Sequence, residues 1–243
     1  MASIARVPSL IFPATARHTA TIIFIHGLGD SGHGWASAVE NWRRRQRLDE
    51  VKFILPNAPS IPITANWGMQ MPGWYDIASI DGNAESLRRN EDKAGILASQ
   101  AYFHGLIQKE IDAGIPADRI VLGGFSQGGA MSLFAGLTAK VKLAGIVAMS
   151  SYLLLSANFA DYVPKPEFNK DTPIFMAHGD SDQVVNTSLG KQSYDLLKGM
   201  GYNATLQIYP GMGHSACLEE LDAIEGFMTE RLPAMGNRDR SEL

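Results

Sequence analysis

The stretch Arg119-Ile120-Val121-Leu122-Gly123-Gly124-Phe125-Ser126-Gln127-Gly128-Gly129 decides how the chain is read. Its first half is a short apolar run, read as a buried strand over Arg119–Gly123. Its second half opens a helical pattern from Gln127 to Thr138. Between them lies a Gly-x-Ser-x-Gly, Gly124 to Gly128. The pattern alone is weak, because glycine and serine are common. A strand leading in and a helix leading out give it the setting of a nucleophile elbow. Such a serine sits on a very tight turn, so its flanks must be small, and Gly124, Gly128 and Gly129 supply that. The Gln127 N–H, at the helix start, can then face an oxyanion with the helix dipole assisting. An ordinary glycine-rich strand–helix turn is the bland alternative.

Outward from this turn, strand and helix alternate. Thr21–Ile25, Val51–Leu55, Lys142–Met149, Pro173–Ala177 and Ala204–Tyr209 are further apolar, β-rich runs. Most are continuously apolar rather than alternating, as expected when helices cover both faces of a parallel sheet. Helical segments are expected over Ser86–Ala113, Thr187–Lys198 and Cys217–Arg231. The regions Pro56–Gly82 and Ser151–Asp171 lack periodicity and read as long connections, which are often functional. Repeated strand–helix–strand order predicts an α/β fold, with a mostly parallel central sheet and no separate cap domain. One domain is expected over residues 1–243, with a core of about 20–232, a short N-terminal segment and a frayed polar tail at Asn237–Leu243.

Composition narrows the function classes. The 243 residues are 45% hydrophobic and 19% charged, which excludes wholesale disorder. A net charge of −4 argues against a broad electrostatic nucleic-acid binder. The single cysteine, Cys217, excludes an internal disulfide framework and a cysteine-based zinc cage. No stretch approaches the roughly 18 unbroken apolar residues of a membrane helix. Ser9-Leu10-Ile11-Phe12 is too short for a signal-peptide core, and the terminal Ser-Glu-Leu matches a peroxisomal signal poorly. A reducing compartment, cytoplasmic and also nuclear, is the expected location.

A serine hydroxyl needs a base to take its proton, and six histidines compete for that role. His18 precedes the first core strand and reads as a surface residue; His104 lies inside the long helix and reads as structural. His26, His33 and His178 follow strands or lie in loops. In folds built on this elbow the chain order is serine, acid, histidine. Only His178 and His214 follow Ser126, and only His214 leaves room for an acid between, so His214 is taken as the base. The acid belongs after the intervening strand, where Ala177-His178-Gly179-Asp180-Ser181-Asp182 offers both Asp180 and Asp182. Position does not separate them. A second oxyanion donor is expected from the loop after an early strand. His26-Gly27-Leu28-Gly29-Asp30-Ser31-Gly32-His33-Gly34-Trp35 is that loop, with a backbone N–H near Leu28 as the donor. Neither a Walker spacing nor a Gly-x-Gly-x-x-Gly opening a helix is present, which sets phosphate binding below the oxyanion role.

Taken together, these segments resemble the acyl-protein thioesterases, the lysophospholipase-like branch of the phospholipase/carboxylesterase family within the α/β-hydrolase fold. The matching stretches are His26 to Trp35, Leu55-Pro56-Asn57-Ala58-Pro59, Trp74-Tyr75-Asp76-Ile77, Gly124 to Gly129, His178 to Asp182 and Gly213-His214-Ser215, in family order over roughly residues 20–232. The resemblance implies Ser126 as nucleophile, Asp182 rather than Asp180 as acid, His214 as base, and the N–H groups of Leu28 and Gln127 as oxyanion hole. It implies hydrolysis of long-chain thioesters on S-acylated proteins, or of lysophospholipids and simple esters, without metal or cofactor. Two positions depart from the pattern: there is no N-terminal cysteine to be lipidated, and Tyr152 stands where relatives often carry tryptophan.

A long acyl chain needs an apolar groove, each buried methylene contributing about 0.8 kcal/mol. Met69, Met71, Trp74 and Tyr75 from one loop, and Tyr152, Leu153 and Leu154 from another, are the candidate acyl-binding surface. The run Arg43-Arg44-Arg45-Gln46-Arg47 is a candidate for transient contact with anionic lipid headgroups, against the plainer reading of a solvated helix face.

Overall fold

The computed structural model describes residues 7–79 and 90–236. Among these residues nine strands form in chain order: β1 (Leu10–Phe12), β2 (Ala20–Ile25), β3 (Val51–Leu55), β4 (Ser60–Ile63), β5 (Met69–Pro72), β6 (Ile120–Phe125), β7 (Gly145–Met149), β8 (Ile174–Gly179) and β9 (Ala204–Tyr209). Among the described residues five α-helices accompany them: α1 (Ala36–Arg44), α2 (Lys93–Asp112), α3 (Gln127–Leu137), α4 (Thr187–Gly199) and α5 (Leu218–Arg231). The central sheet has seven strands in the order β1-β3-β2-β6-β7-β8-β9. All neighbours are parallel except β1, which pairs antiparallel with β3 in the register Leu10 to Leu55.

Alternate residues of each central strand feed two separate cores. Ile23, Ile25, Leu122, Ile146 and Ala148 face one cluster, together with Phe103 of α2, Phe134 of α3 and Leu189 of α4. Ile22, Phe24, Val121, Val147 and Met149 face the other, with Trp42 of α1 and Met228 of α5. Helices on both faces explain why these strands read as unbroken apolar runs. Helix α3 is buried along its whole length, which fits its lack of any polar stripe.

The strand order reverses beside β2. From β2 the chain goes to β3 on one side and later to β6 on the other. Such a switch point leaves a crevice beyond the carboxyl ends of the strands. The loop after β2 and the turn after β6 both open there.

Several expected boundaries move. The strand expected from Lys142 starts at Gly145, because Leu143 N–H turns aside to Asn169 Oδ1 and Ala144 N–H joins Ile120 O. The helix expected from Ser86 begins at Lys93, where Asp92 caps it by accepting from the Gly95 N–H; residues 86–89 lie outside the described residues, as does the tail at 237–243. The connection read over Pro56–Gly82 contains the β4–β5 hairpin, paired Ser60 to Pro72.

Candidate active site

Ser126 follows β6 directly and caps α3 in an unusual conformation, φ 55° and ψ −122°. Its N–H donates to Met149 O at 2.8 Å, which carries the β6–β7 ladder into the turn. This is a sparsely populated backbone region for a non-glycine residue, and the turn is strained by on the order of 1–3 kcal/mol. The neighbouring chain presses close: a Cβ on Gly128 would lie 2.0 Å from Ile25 O, and one on Gly124 2.5 Å from the Gly128 carbonyl carbon. Small flanks are a steric necessity here.

Three side chains from the ends of three strands converge. His214, after β9, places Nε2 2.9 Å from Ser126 Oγ. Its Nδ1 lies 2.8 Å from Asp182 Oδ2, after β8. An ionised carboxylate can only accept, so the imidazole carries its proton on Nδ1 and turns its Nε2 lone pair to the serine hydroxyl. Asp182 is 4% exposed, and its Oδ1 accepts from the N–H groups of Val184 and Val185 at 2.9 Å each. Burial alone would raise this carboxyl. Hydrogen bonds from His178 and His214, the charge of His214 and the Val185 N–H outweigh it and hold the group well below the usual carboxylate range. Asp182 therefore stays charged and can stabilise an imidazolium. Asp180 is exposed and works as a turn former, accepting from Ser181 Oγ and the Gly211 N–H. Of the two aspartates left open by position, the structure brings Asp182 to His214.

The remaining histidines have other partners. His104 reaches Ala135 O across the α2–α3 contact, His18 meets Thr21 Oγ1, and His33 is exposed. His178 is buried and joins Val185 O at 2.8 Å.

A cleft of about 170 Å³ opens beside Ser126, lined by Leu28, Tyr75, Ile77, Ser126, Gln127, Tyr152, Val184, Val185 and His214. Gly27 abuts the nucleophile, a Cβ there lying 3.2 Å from Ser126 Cβ, so the loop after β2 reaches the reacting oxygen. Gln127 opens α3, where its N–H has no intrahelical acceptor. Both N–H groups read as oxyanion donors thus belong to residues of one cleft. Among the candidate acyl-binding residues, Tyr75 and Tyr152 line it, their hydroxyls 3.4 Å apart. Burial raises both phenols, Tyr152 to about 12, so they remain neutral.

The other candidates sit elsewhere. Leu153 and Leu154 turn into the core. Trp74 is buried beneath the loop after β2, its indole donating to His26 O at 2.8 Å. Met71 packs beside Gly29, and Met69 is exposed on the hairpin. Ile77, Val184 and Val185 line the cleft without any sequence signal, because they come from aperiodic loops. The side chain of Gln127 is a second omission. It is buried, accepts the Trp74 N–H at 2.8 Å and donates to Tyr75 O at 2.7 Å, clamping the cleft wall to the nucleophile turn. A polar side chain at the start of an apolar helix was the available clue, since buried amides require partners. Among the described residues, no group of three or more His, Cys, Asp or Glu could hold a metal ion.

The profile of the Phospholipase/Carboxylesterase family matches residues 8–232. The chain belongs to that family. Within the phospholipase/carboxylesterase family it is similar to an acyl-protein thioesterase 1 of Neurospora crassa, 78% identical with all of both chains covered. An acyl-protein thioesterase 1 of Gibberella zeae is 62% identical over 94% of this chain and 97% of its own. Among solved structures, SOBER1 of Arabidopsis thaliana superposes with a TM-score of 0.81 at 31% identity, covering 89% of this chain and all of that one. Acyl-protein thioesterase 2 of Zea mays gives 0.81 at 28% identity, covering 92% and 98%. The phospholipase/carboxylesterase fold is the α/β-hydrolase fold expected from the elbow.

Proposed function

We propose that this protein is a serine hydrolase that cleaves long-chain acyl thioesters from S-acylated proteins. The observation that carries the reading is the unbroken line Ser126 Oγ, His214 Nε2, His214 Nδ1, Asp182 Oδ2, at 2.9 and 2.8 Å, beside an apolar cleft. The names of the Neurospora crassa and Gibberella zeae relatives support the choice of thioester. In this reading Ser126 Oγ attacks the acyl carbonyl as His214 takes its proton. The negative oxygen is met by the N–H groups of Leu28 and Gln127. The carbon–sulfur bond breaks, and the leaving thiolate takes the proton from His214. Water, deprotonated by the same imidazole, then cleaves the acyl-enzyme. The cleft is smaller than the roughly 300–1,000 Å³ that encloses a drug-sized ligand. It takes the carbonyl end of the chain, while Ile77 and the half-exposed Val184 offer an apolar rim for the rest.

Lysophospholipids and simple esters are the second substrate class, supported by the family description and by the same triad. The reading includes transient contact with a membrane surface. Trp67 is 94% exposed and Met69 55%, on the hairpin whose Met71 flanks the loop after β2. The basic run leads from α1 into the start of β3, at the opposite end of the parallel strands from Ser126. Arg43 there donates to Pro13 O and Arg45 pairs with Asp222 and Glu225. A cytoplasmic location belongs to the same proposal, and imaging a fluorescent fusion tests it.

The central experiment is fluorophosphonate labelling of wild type and Ser126→Ala, followed by turnover of an S-acylated peptide and of a lysophospholipid. Labelling and thioester turnover that vanish together in Ser126→Ala are expected. Labelling that survives the substitution would remove the nucleophile assignment.

A further inference from the structure

His26 follows β2 and is 1% exposed. Both of its ring nitrogens meet backbone groups of fixed polarity. The Ala58 N–H, which can only donate, reaches Nε2 at 3.1 Å. The Gly27 carbonyl oxygen, which can only accept, lies 2.7 Å from Nδ1. A neutral imidazole satisfies both only with its proton on Nδ1. Burial lowers the pKa of this ring against the opposing pull of the Gly27 carbonyl, which favours the neutral form.

The consequence lies one atom further along the chain. In a trans peptide the C=O and the following N–H point in opposite directions. The Gly27 oxygen is held by His26 Nδ1 and, at 3.3 Å, by the Asp30 N–H. That anchoring turns the Leu28 N–H to the opposite side. The Gly29 N–H is already committed to Pro72 O at 2.8 Å, with Gly29 at φ 78°. The Leu28 N–H has no hydrogen-bond acceptor among the described residues, and Leu28 shares the cleft with Ser126, Gln127 and His214. The same histidine is tied to the second donor. Its carbonyl accepts the Trp74 indole, and the Trp74 N–H is held by Gln127 Oε1.

We propose that His26 is a positioning residue of the hydrolytic reaction: its Nδ1–H holds the Gly27 carbonyl and so aims the Leu28 N–H at the oxyanion of the tetrahedral intermediate. The inference rests on the reading of Leu28 as an oxyanion donor in a serine hydrolase.

Two variants separate orientation from bulk. In His26→Asn the amide nitrogen stands near the place of Nδ1 and can still donate to Gly27 O. In His26→Gln the amide oxygen takes the place of Nε2 and accepts the Ala58 N–H, and the Gly27 carbonyl loses its anchor. His26→Gln is expected to lower kcat on p-nitrophenyl esters on the order of 10²-fold, with KM within about threefold of wild type. His26→Asn is expected to recover kcat to within roughly tenfold of wild type. Inhibition by a trifluoromethyl ketone, whose serine adduct carries the oxyanion, should weaken in His26→Gln in parallel with kcat/KM. If fluorophosphonate labelling depends on Ser126 and His26→Gln turns over at the wild-type kcat, or His26→Asn falls as far as His26→Gln, this inference fails alone. Labelling that persists in Ser126→Ala sinks the underlying reading instead. Should either variant fail to fold, ¹⁵N NMR of the wild-type imidazole decides: a pyrrole-type Nδ1 and a pyridine-type Nε2 are expected, and a proton on Nε2 overturns the proposal.

Discussion

Two histidines share one carboxylate oxygen: His178 Nε2 lies 3.3 Å from Asp182 Oδ2, the atom that also receives His214 Nδ1 at 2.8 Å. Because His178 Nε2 also joins Val185 O, it carries a proton and acts as a donor to both. Asp182 is thereby fixed from the buried side while it orients His214 from the other. Asp182→Asn should lower kcat on the order of 10⁴-fold by disfavouring the productive tautomer. His178→Ala should lose less catalysis but more stability, roughly 2–4 kcal/mol, through a cavity and an orphaned Val185 carbonyl. Steady-state kinetics and urea unfolding distinguish the two. A fall of 10⁴-fold in His178→Ala with unchanged stability would contradict the division of labour.

The strain at Ser126 yields a trade between activity and stability. At φ 55° and ψ −122° a glycine is comfortable and a serine is not. Ser126→Gly should be inactive yet more stable than Ser126→Ala by about 1 kcal/mol, read as a higher urea midpoint with an unchanged slope. Equal midpoints for the two variants would show that the turn is unstrained.

Glu220 gives the fold a pH dependence unconnected with the site. The side chain is fully buried on α5, and burial, opposed only by the Cys217 N–H, raises its pKa to about 8. The folded protein then retains a proton that the unfolded chain releases near pH 4.3. Between those values the native state binds more protons, so stability is full below the unfolded pKa and falls as pH rises towards about 8, by up to about 1.4 kcal/mol per pH unit. Glu220→Gln should abolish that slope and exceed wild type in stability at pH 8, measured as denaturant midpoints from pH 5 to 9. Parallel curves for both proteins would refute the buried-acid assignment.

The rim of the cleft should set chain-length preference. Ile77 lines it together with Tyr152 and His214, and a tryptophan there would occupy space that methylenes need. Ile77→Trp should lower kcat/KM for long p-nitrophenyl esters by roughly 10–100-fold, as expected for the loss of two to three methylene contacts at about 0.8 kcal/mol each, and leave the acetate ester within about threefold. A uniform loss across the series would mean that the chain runs elsewhere.

How much was legible from residues alone varied with the range of the interaction involved. The inner parallel strands were legible because burial on both faces makes them apolar; Val51–Leu55 matches its expected bounds, as does the edge strand Ala204–Tyr209 with its β-rich residues. The three-residue β1 and the hairpin strand β4, with its internal Pro62, were not, because such short segments take their form from a partner. Helix α1 was read only as a basic run, although it buries Ala38, Val39 and Trp42. Within the site, Ser126, His214 and the glycine loop announced themselves by local chemistry. Asp180 and Asp182, two residues apart, looked alike by position; the family resemblance favoured Asp182, and the structure brings Asp182 to His214.

The sequence by itself determined which groups were available for catalysis and that each would stand at the end of a strand, because the elbow, the glycines and the order of acid and base are encoded within short windows. Only the tertiary structure decided which aliphatic side chains line the cleft, and that Leu153, Leu154 and Trp74 serve the scaffold. The physical reason is that these outcomes depend on side-chain direction across neighbouring strands and loops, and direction is set by packing between segments that lie far apart in the chain.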